Sequence, residues 1–443
     1  MISTTPAFNL KVVLKETGLA ADTLRAWERR YGLPMPQRSA GGHRLYSQRD
    51  IETIKWLMKR QEEGLSISRA VDLWNEQITL GVDPLAGSVP SGSAYVSGVT
   101  TPFQSPDATL ASLRAAWIEA CMNFSESASE LVLNQAFSMF PVESICIEVL
   151  QKGMAEIGDM WYQNRASVQQ EHFASALAVR NLDALLSASA APTRDQTVLV
   201  GCPAEEWHTF TPLLLSLLLR RRGLNVLYLG ANVPVLQLSE TVKNSRVNLV
   251  VLIAQLLTSA ATLQQTTLAL SWQNIPVAFG GRIFSVRPEL ADYIPGLFLG
   301  RDLITALDEI EVILSSRSRQ RQVKAAPSDH TTALQAYLLK RPQIEMDVKQ
   351  ALEKFPIPPE DVQTGIHFLG QNITAALQLG DMSHVSAEVE WLKGLLQAHG
   401  SADGQLIGFM QTYARAMDQN MNGKGDPVTR WLASEVDKLR EGS

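Results

Sequence analysis

Residues 196–315 alternate short apolar runs with longer amphipathic stretches, and this alternation limits the possible folds more than any other feature of the chain. The runs "TVLVG", "NVLYLG", "NLVVLIA", "PVAFGG" and "GLFLG" are apolar almost throughout, as strands buried on both faces of a sheet are. Amphipathic stretches such as "FTPLLLSLLLRRRG" lie between them, and a last helix is predicted from Arg301. The pattern predicts a parallel, doubly wound sheet whose ligands lie at the carboxyl ends of its strands.

Breaks in this periodicity divide the chain into further parts. A stretch rich in Gly, Ser, Pro and Thr, 82–108, is typical of a flexible linker, and shorter breaks fall at 187–195 and 315–330. Helical periodicity fills the segments on either side of the predicted sheet. We therefore predict a multidomain α and α/β protein with these parts: an N-terminal domain at 1–80, a linker at 81–108, a helical bundle at 109–190, a Rossmann-like α/β domain at 191–318 and a helical extension at 331–443, whose role the sequence leaves open.

The composition is that of a globular protein, with 45% hydrophobic and 19% charged residues. The longest aliphatic run, from Pro212, is much shorter than the roughly 18–20 residues that cross a bilayer, so no membrane span is expected. No secretion signal is recognised, and a cytoplasmic protein is predicted. The three cysteines, Cys121, Cys146 and Cys202, lack metal-ligand spacing, which argues against a disulfide framework or a cysteine-rich zinc site.

The N-terminal segment differs from the rest of the chain in charge and in pattern. The whole chain carries a net charge of −6, but residues 1–80 hold twelve basic and nine acidic residues and are net positive. Within 8–31, Gly18 separates two short amphipathic stretches, as in the turn of a helix-turn-helix. Asp22 or Thr23 is a candidate N-cap of the second helix.

A basic surface follows from the second helix and from the segment after it. Arginines on a helix in the major groove bind guanine edges and phosphates, and a basic hairpin beside it contacts the DNA backbone as a wing. A solvated basic surface is the alternative for the helix alone, but the two pieces together favour DNA. The predicted DNA-binding residues are Thr23, Arg25, Arg29, Arg30 and Tyr31 on the helix, and Arg38, His43, Arg44 and Tyr46 around the Gly41-Gly42 turn.

The loop "GCPAEEWHTF" after the first predicted strand carries a histidine close behind two glutamates. A neutral imidazole can bind a cobalt or iron centre through one nitrogen while the other nitrogen donates to a carboxylate. His208 is therefore a candidate axial ligand of a planar tetrapyrrole-like cofactor. Glu206 is the better orienting carboxylate and Glu205 the poorer one. A solvated loop histidine is the alternative.

Further candidates lie in the bundle and at the end of the fourth strand. In "DMWYQNRASVQQEHFASA", Trp161 is followed by Glu171 and His172, and all three are candidates for contact with a cofactor. In the alternative, Trp161 is an ordinary core residue and Glu171-His172 an ordinary pair at the N-terminus of a helix. Gly280 and Gly281 end the fourth strand, where paired glycines allow either close approach of a bulky ligand or a tight turn.

Two resemblances connect these residues. "TLRAWERRYGLP" followed by "GGHRLYS" resembles the DNA-binding domain of the MerR family of transcriptional regulators over residues 8–76. This resemblance implies a winged helix-turn-helix that dimerises on a pseudo-palindromic promoter. The tryptophan, the Glu-His pair and the Glu-x-His loop resemble the cobalamin-binding module shared by methionine synthase and by the MerR-type light sensors of the CarH and LitR group.

The second resemblance implies residue roles around adenosylcobalamin, with methylcobalamin as the alternative. Trp161 packs against the upper ligand, and Glu171 and His172 border it. His208 binds the cobalt and Glu206 orients His208. The sheet, with Gly280 and Gly281, holds the tail of the cofactor.

The chain departs from that family's pattern at four positions. Thr211 stands where the family has glycine, the bulky Phe210 precedes it beside the expected tail, and Ala254 lies near the position of a serine. Tyr162 occupies a position at which several of the light sensors carry a second histidine.

We predict a non-enzymatic, light-responsive repressor that binds double-stranded promoter DNA and cobalamin and forms a homo-oligomer, either a dimer or a tetramer. The cofactor state would control oligomerisation and DNA binding. In the alternative, the DNA-binding role is kept and the cobalamin-like domain is a degenerate module for protein interaction or for another ligand. A corrinoid methyltransferase component is a third hypothesis, but it leaves the helix-turn-helix without a role.

Overall fold

The computed structural model describes residues 5–6, 8–19, 21–38, 44–62, 67–79, 84–85, 109–273, 275–315, 323–353, 355, 357–399 and 403–441. His43, the Gly41-Gly42 turn and most of the predicted linker at 81–108 lie outside these residues. The chain forms two compact units, Met1–Pro102 and Phe103–Ser443.

The N-terminal unit is a small helical domain with a short antiparallel sheet. In the described residues the strand order is β1-β3-β2, with Phe8 opposite Tyr46 and Gln37 opposite Leu45. The elements are β1 (Phe8–Asn9), α1 (Leu10–Thr17), α2 (Ala21–Tyr31), β2 (Gln37–Arg38), β3 (Arg44–Tyr46), α3 (Gln48–Glu62) and α4 (Ile67–Thr79). A winged helix-turn-helix was predicted here, and this arrangement confirms it.

Local interactions define the turn between α1 and α2. Asn9 caps α1 by accepting a hydrogen bond from the Val12 N–H, and Gly18 ends the helix in the left-handed region at φ 71°. Gly18 is therefore the turn residue, as predicted. The predicted cap at Asp22 or Thr23 is wrong, because α2 begins at Ala21 and both residues lie inside its first turn.

A helical bundle opens the second unit. Thr109, Ser125 and Ser167 cap three of its helices, and Trp117 is fully buried at its centre. The elements are α5 (Leu110–Met122), α6 (Glu126–Met139), α7 (Val142–Ile145), a π-helical turn (Cys146–Gln151), α8 (Lys152–Tyr162) and α9 (Val168–Ser187).

A parallel sheet follows the bundle, and in the described residues its strand order is β5-β4-β6-β7-β8. The elements are β4 (Thr197–Gly201), α10 (Phe210–Arg221), β5 (Asn225–Gly230), α11 (Val235–Asn244), β6 (Leu249–Ile253), α12 (Leu257–Leu270), β7 (Val277–Gly280), α13 (Arg282–Val286), β8 (Leu297–Phe298) and α14 (Leu303–Ser315), with short 3₁₀ turns at Ser271–Gln273 and Pro288–Tyr293. Every residue of β4 and β6 is buried, which explains their uninterrupted apolar sequence. The predicted doubly wound sheet is confirmed.

The two faces of the sheet are covered by different parts of the chain. The bundle packs against α10 and shares one apolar core with it, including Trp117 and Leu214. On the opposite face, α12 packs against a helix of the C-terminal extension, and Ala375 and Leu379 of that helix join the core of the sheet. The sheet domain therefore lies between two helical layers.

The C-terminal extension is helical, as predicted, and its first helix begins at Ser328 rather than at 331. Its elements are α15 (Ser328–Leu352), α16 (Pro359–Leu379), α17 (Ser383–Ala398), α18 (Asp403–Met421) and α19 (Asp426–Glu441). None of the helices in the described residues combines the length and the apolar character needed to cross a membrane.

Candidate functional site

The loop between β4 and α10 lies at the point where the sheet reverses its winding. Strand β4 pairs with β5 on one side and with β6 on the other, and the loops that follow β4 and β6 diverge there. In open parallel sheets this crevice at the carboxyl ends of the strands is the usual ligand site. Glu206 and His208 lie on the first of these two loops, before α10 begins at Phe210.

Glu206 is fully buried, and its two carboxylate oxygens accept four hydrogen bonds. Oε1 accepts from Nδ1 of His208 at 2.6 Å and from the backbone N–H of the same residue at 3.0 Å. Oε2 accepts from the Gln255 backbone N–H and from Oγ of Ser259, both at 2.6 Å. The buried carboxylate therefore joins the loop after β4 to the loop after β6.

These bonds shift the acid–base equilibria of both partners. Burial by itself raises the pKa of Glu206, but the hydrogen bonds from His208, Ser259 and Gln255 outweigh it and hold this pKa below its usual value. The hydrogen bond to Glu206 raises the pKa of His208, against the opposing effect of burial. Glu206 stays ionised, so Nδ1 of His208 carries a proton and Nε2 is the nitrogen left for a ligand.

Charges on the first turn of α9 and at the start of α13 act on the same loop. The negative charge of Glu171 adds to the rise in the pKa of His208, and the positive charge of Arg282 opposes it, so both residues lie within electrostatic reach of the imidazole. Glu171 is also 2.6 Å from Nδ1 of His172, whose side chain is exposed. The structure thus places Glu171, one residue of the predicted pair from the bundle, within electrostatic reach of the predicted histidine from the sheet.

The backbone conformation and the close packing at position 281 require a glycine. Its φ is 123°, and a Cβ at this position would overlap the carbonyl oxygen of Ala254. A Cβ on Gly280 would make only ordinary contacts, with Leu299 and Ile253. The second glycine therefore has an intramolecular explanation in the turn from β7 into α13.

Trp161 and Tyr162 end α8 and contact the C-terminal extension. The ring centroid of Trp391, on α17, lies 6.2 Å from that of Trp161 and 5.8 Å from that of Tyr162. All three rings are partly exposed. No motif around Trp391 predicts that the extension reaches this part of the bundle.

The other departures from the family pattern also have defined environments. Phe210 packs against the apolar core shared by the bundle and α10, which explains its size without any contact to a ligand. Ala254 is fully buried, and its N–H donates to the Gly280 carbonyl oxygen. Thr211 is half-buried in the first turn of α10.

In the N-terminal unit, α2 has one buried face and one exposed face. Leu24 and Trp27 are buried in the core, whereas Thr23 and the three arginines Arg25, Arg29 and Arg30 are exposed. Tyr31 is half-buried, with the Arg30 guanidinium 5.5 Å from its ring centre. Arg38 lies on β2 opposite Arg44.

The predicted DNA contact at Tyr46 is wrong. Its side chain is fully buried, and its hydroxyl donates a 2.5 Å hydrogen bond to Oε1 of Glu28. Nε of Arg44 donates to the other oxygen of the same carboxylate at 2.8 Å. The apolar ring of Tyr46 belongs to the core, and Tyr46 and Arg44 together attach β3 to α2 through Glu28.

Sequence reasoning missed three residues of the candidate site. The contribution of Gln255 is a backbone N–H, which any residue type except proline provides. Ser259 lies five residues beyond Ala254, in the first turn of the helix after β6. A hydroxyl at that position could have been predicted to donate a hydrogen bond to a group on the neighbouring loop after β4. Trp391 lies in a segment without a recognisable motif, and only the packing of α17 brings it to the bundle.

Comparison with known families assigns two parts of the chain. Residues 8–77 match the model of the MerR HTH family regulatory proteins, and residues 113–186 match that of the B12 binding domain. The second match covers the bundle that carries Trp161 and Glu171. It supports binding of cobalamin by this part of the protein.

Individual proteins are also similar to parts of this chain. The HTH-type transcriptional repressor CarH of Myxococcus xanthus is 28% identical over 62% of this chain and 88% of its own length. The repressor CarA of the same organism is 32% identical over 51% of this chain and 68% of its own length. Among solved structures, the monomethylamine corrinoid protein of Methanosarcina barkeri aligns over 45% of this chain and 96% of its own, with 18% identity and a TM-score of 0.38.

CarH and CarA are both named as transcriptional repressors, and this chain matches the models of both the MerR HTH family and the B12 binding domain. The chain therefore belongs to the MerR family, as a transcriptional regulator of the CarH and CarA type with a B12-binding domain.

Proposed function

We propose that this protein is a cobalamin-dependent, light-responsive transcriptional repressor that binds promoter DNA as a homo-oligomer, a dimer or a tetramer. The observation that carries the proposal is the hydrogen bond between His208 and the buried Glu206 at the crevice of the sheet, beside the first turn of α9. The names of the two Myxococcus relatives, both repressors, support the sign of regulation.

The residues at the crevice fit cobalamin as a ligand. His208 offers one nitrogen, Nε2, and 62% of its side chain is exposed. A single protein nitrogen suits a metal that brings its own ring of equatorial donors. Glu206 fixes the tautomer and increases the basicity of the ring, as carboxylates behind metal-binding histidines do. We propose His208 as the cobalt ligand and Glu206 as the residue that orients it.

The bundle would cover the opposite side of the cofactor. We propose that Trp161 packs against the upper ligand and that Glu171 and His172 border it, with Gly280 and Gly281 near the tail. The proposed cofactor is adenosylcobalamin, with methylcobalamin as the alternative. When bound, it supplies a cobalt–carbon bond that light can break.

Control of DNA binding follows from linkage. A cofactor shifts an oligomeric equilibrium only by the difference in its affinities for the two arrangements, and the occupancy of DNA shifts with that equilibrium. In this scheme residues 1–80 bind DNA, residues 109–190 and 191–318 form the sensor, and residues 81–108 link them. The proposed DNA-binding residues are Thr23, Arg25, Arg29, Arg30, Tyr31, Arg38, His43 and Arg44.

The test combines spectroscopy with DNA binding. Purified full-length protein is incubated with adenosylcobalamin in darkness, desalted and scanned for visible absorbance. It is then assayed, before and after illumination, on duplex DNA selected by the dark protein from a random pool. We expect retained colour, a spectral change on illumination, and loss of DNA binding together with a change in oligomer size.

Each alternative gives a different result. A degenerate module would bind DNA but remain colourless after desalting. A corrinoid methyltransferase component would retain colour but select no DNA. Retained colour with DNA binding and oligomer size unaffected by light would contradict the proposed light response.

A further inference from the structure

Helix α17 of the C-terminal extension presents one stripe of side chains away from its own domain. Val385 and Val389 are buried in the core of that domain. His384, Glu388 and Trp391 follow one another at intervals of four and three residues, which places them along another face of the helix. This stripe contacts first the sheet domain and then the bundle.

The first half of the stripe contacts the segment after β7. Arg287 donates from Nη1 to the carbonyl oxygen of His384 at 2.5 Å, and its Nη2 lies 2.9 Å from Oε1 of Glu388. The ring of Tyr293 meets the ring of His384 edge-on, with centroids 5.9 Å apart. The same segment begins at Arg282, whose charge reaches His208. One end of α17 is thus attached to the segment that follows β7.

The second half of the stripe contacts the bundle. The Trp391 ring lies tilted by 41° against Trp161 and by 31° against Tyr162. One turn further on, Gly394 leaves no room for a side chain, because a Cβ there would overlap the Tyr162 hydroxyl. The helix backbone is therefore in direct contact with the end of α8.

The extension is firmly attached to the sheet domain. Ala375 and Leu379 of α16 belong to the same apolar core as α12 and the strands. Nε2 of Gln378 donates to the Ala261 carbonyl oxygen at 2.6 Å, and its Oε1 accepts from Gln265 at 2.7 Å. Buried apolar contacts combined with satisfied polar groups describe a permanent interface. The position of α17 across the sheet domain and the bundle is thus set by the fold.

We infer that α17 closes the cofactor site on a third side and that Trp391 borders the upper cobalt ligand next to Trp161. This inference rests on the proposed function, because it takes the upper ligand to lie against Trp161. The helix contacts both the end of α8, which carries Trp161, and the segment after β7, which follows the two glycines proposed near the tail. An aromatic ring at this place recognises a large, flat upper ligand by stacking, and it has little to contact when the upper ligand is a single water molecule.

The experiment compares two corrinoids that differ in the upper ligand. The dissociation constants of adenosylcobalamin and hydroxocobalamin are measured in darkness for full-length wild-type protein and for Trp391→Ala. We expect the substitution to weaken binding of adenosylcobalamin about 5- to 10-fold and binding of hydroxocobalamin less than about 2-fold. The readout is the dissociation constant of adenosylcobalamin divided by that of hydroxocobalamin. This ratio should rise in Trp391→Ala, whereas a general loss of structure weakens binding of both corrinoids equally and leaves the ratio unchanged.

Matched variants complete the test. Trp272→Ala removes a tryptophan that is 89% exposed on the sheet domain, and it should leave both constants unchanged. Gly394→Ala, which pushes α17 away from Tyr162, should raise the same ratio, whereas Gly404→Ala, with open space around it, should not. If Trp391→Ala does not fold, Trp391→Leu takes its place, since it keeps the apolar bulk and removes the flat ring.

The possible failures can be told apart. A wild-type protein that binds neither corrinoid overturns the proposed function and this inference with it. A wild-type protein that binds both, with an unchanged ratio in the folded Trp391 and Gly394 variants, overturns only the inference. Trp391 would then be a contact between helices and nothing more.

Discussion

Glu206 and His208 are joined by a 2.6 Å hydrogen bond at Nδ1, although the carboxylate is fully buried and most of the imidazole is exposed. The bond connects a fixed carboxylate to an accessible ring. The carboxylate of Glu206 is held in place because Gln255 and Ser259 donate hydrogen bonds to its other oxygen. The orientation of a ring at the surface is therefore set by hydrogen bonds in the interior.

The first prediction concerns the carboxylate of Glu206. Glu206→Gln keeps the size of the side chain but replaces one acceptor oxygen by an amide donor, which opposes the donors around it. We expect cobalamin affinity to fall by about 10- to 100-fold. Titration of visible absorbance measures the affinity, and Glu205→Gln, at the exposed neighbouring position, is the control. Equal affinities in the two variants would remove Glu206 from the role of orienting carboxylate.

The second prediction concerns the proposed cobalt ligand. Because the ring is largely exposed, His208→Ala should still fold, with a loss of stability because buried Glu206 loses a hydrogen bond, and it should alter the spectrum and the affinity of bound cobalamin. Absorbance spectroscopy and circular dichroism test the two statements separately. His367→Ala, an exposed histidine on α16, is the control. An unchanged spectrum in His208→Ala would exclude this residue from the coordination sphere.

The third prediction separates two arginines of the N-terminal unit. If Arg29 holds one phosphate, Arg29→Ala should weaken DNA binding and lower the salt slope by about one unit. Arg44→Ala should also destabilise the unit, because the mostly buried Glu28 loses a partner. Binding titrations over a range of salt concentrations measure the slope, with the exposed Lys340→Ala as the charge control. A slope identical to wild type in Arg29→Ala would contradict the assigned contact.

The fourth prediction follows from the corrected role of Tyr46. Tyr46→Phe removes the hydroxyl that donates to Glu28, so the free energy of unfolding of the N-terminal unit should fall by about 1–3 kcal/mol. The salt slope of DNA binding should stay the same. Hydrogen exchange of amides in α1 to α3 measures the stability, with Tyr31→Phe for comparison. A reduced slope without loss of stability would restore Tyr46 as a DNA contact.

The fifth prediction concerns pH and the interface of the extension. Burial lowers the pKa of His384 below 6.5; Asp381 and Glu289 counteract this effect and Arg287 adds to it. In the described residues its Nε2 has no hydrogen-bond partner. The unfolded chain therefore binds more protons than the native state below about pH 6.5, and stability falls as the pH falls through that value.

The slope of this loss is at most about 1.4 kcal/mol per pH unit. His208 has the opposite slope, because its raised pKa stabilises the native state below its unfolded pKa and the effect is lost as the pH rises. Thermal unfolding midpoints of wild type and His384→Phe, compared between pH 8 and pH 5.5, isolate the contribution of His384. A variant with the same pH dependence as wild type would contradict the prediction.

Several elements follow from the sequence because local physics determines them. Gly18 predicted the turn of the helix-turn-helix, since a left-handed residue at that position favours glycine. Five apolar runs predicted the strands of the sheet, because strands buried on both faces expose no polar side chain to water. Tyr46 was assigned wrongly, because an amphipathic residue beside basic ones has the same pattern whether its ring faces DNA or the core.

The sequence by itself determined the order of domains, the strand and helix alternation and the Glu-x-His pair, because each depends on residues close together in the chain. Only the tertiary structure decided that Ser259 and the Gln255 backbone complete the partners of Glu206, and that α17 carries Trp391 to Trp161. These contacts join residues 49 to 230 positions apart. They depend on how strands pair and helices pack, which no local pattern encodes.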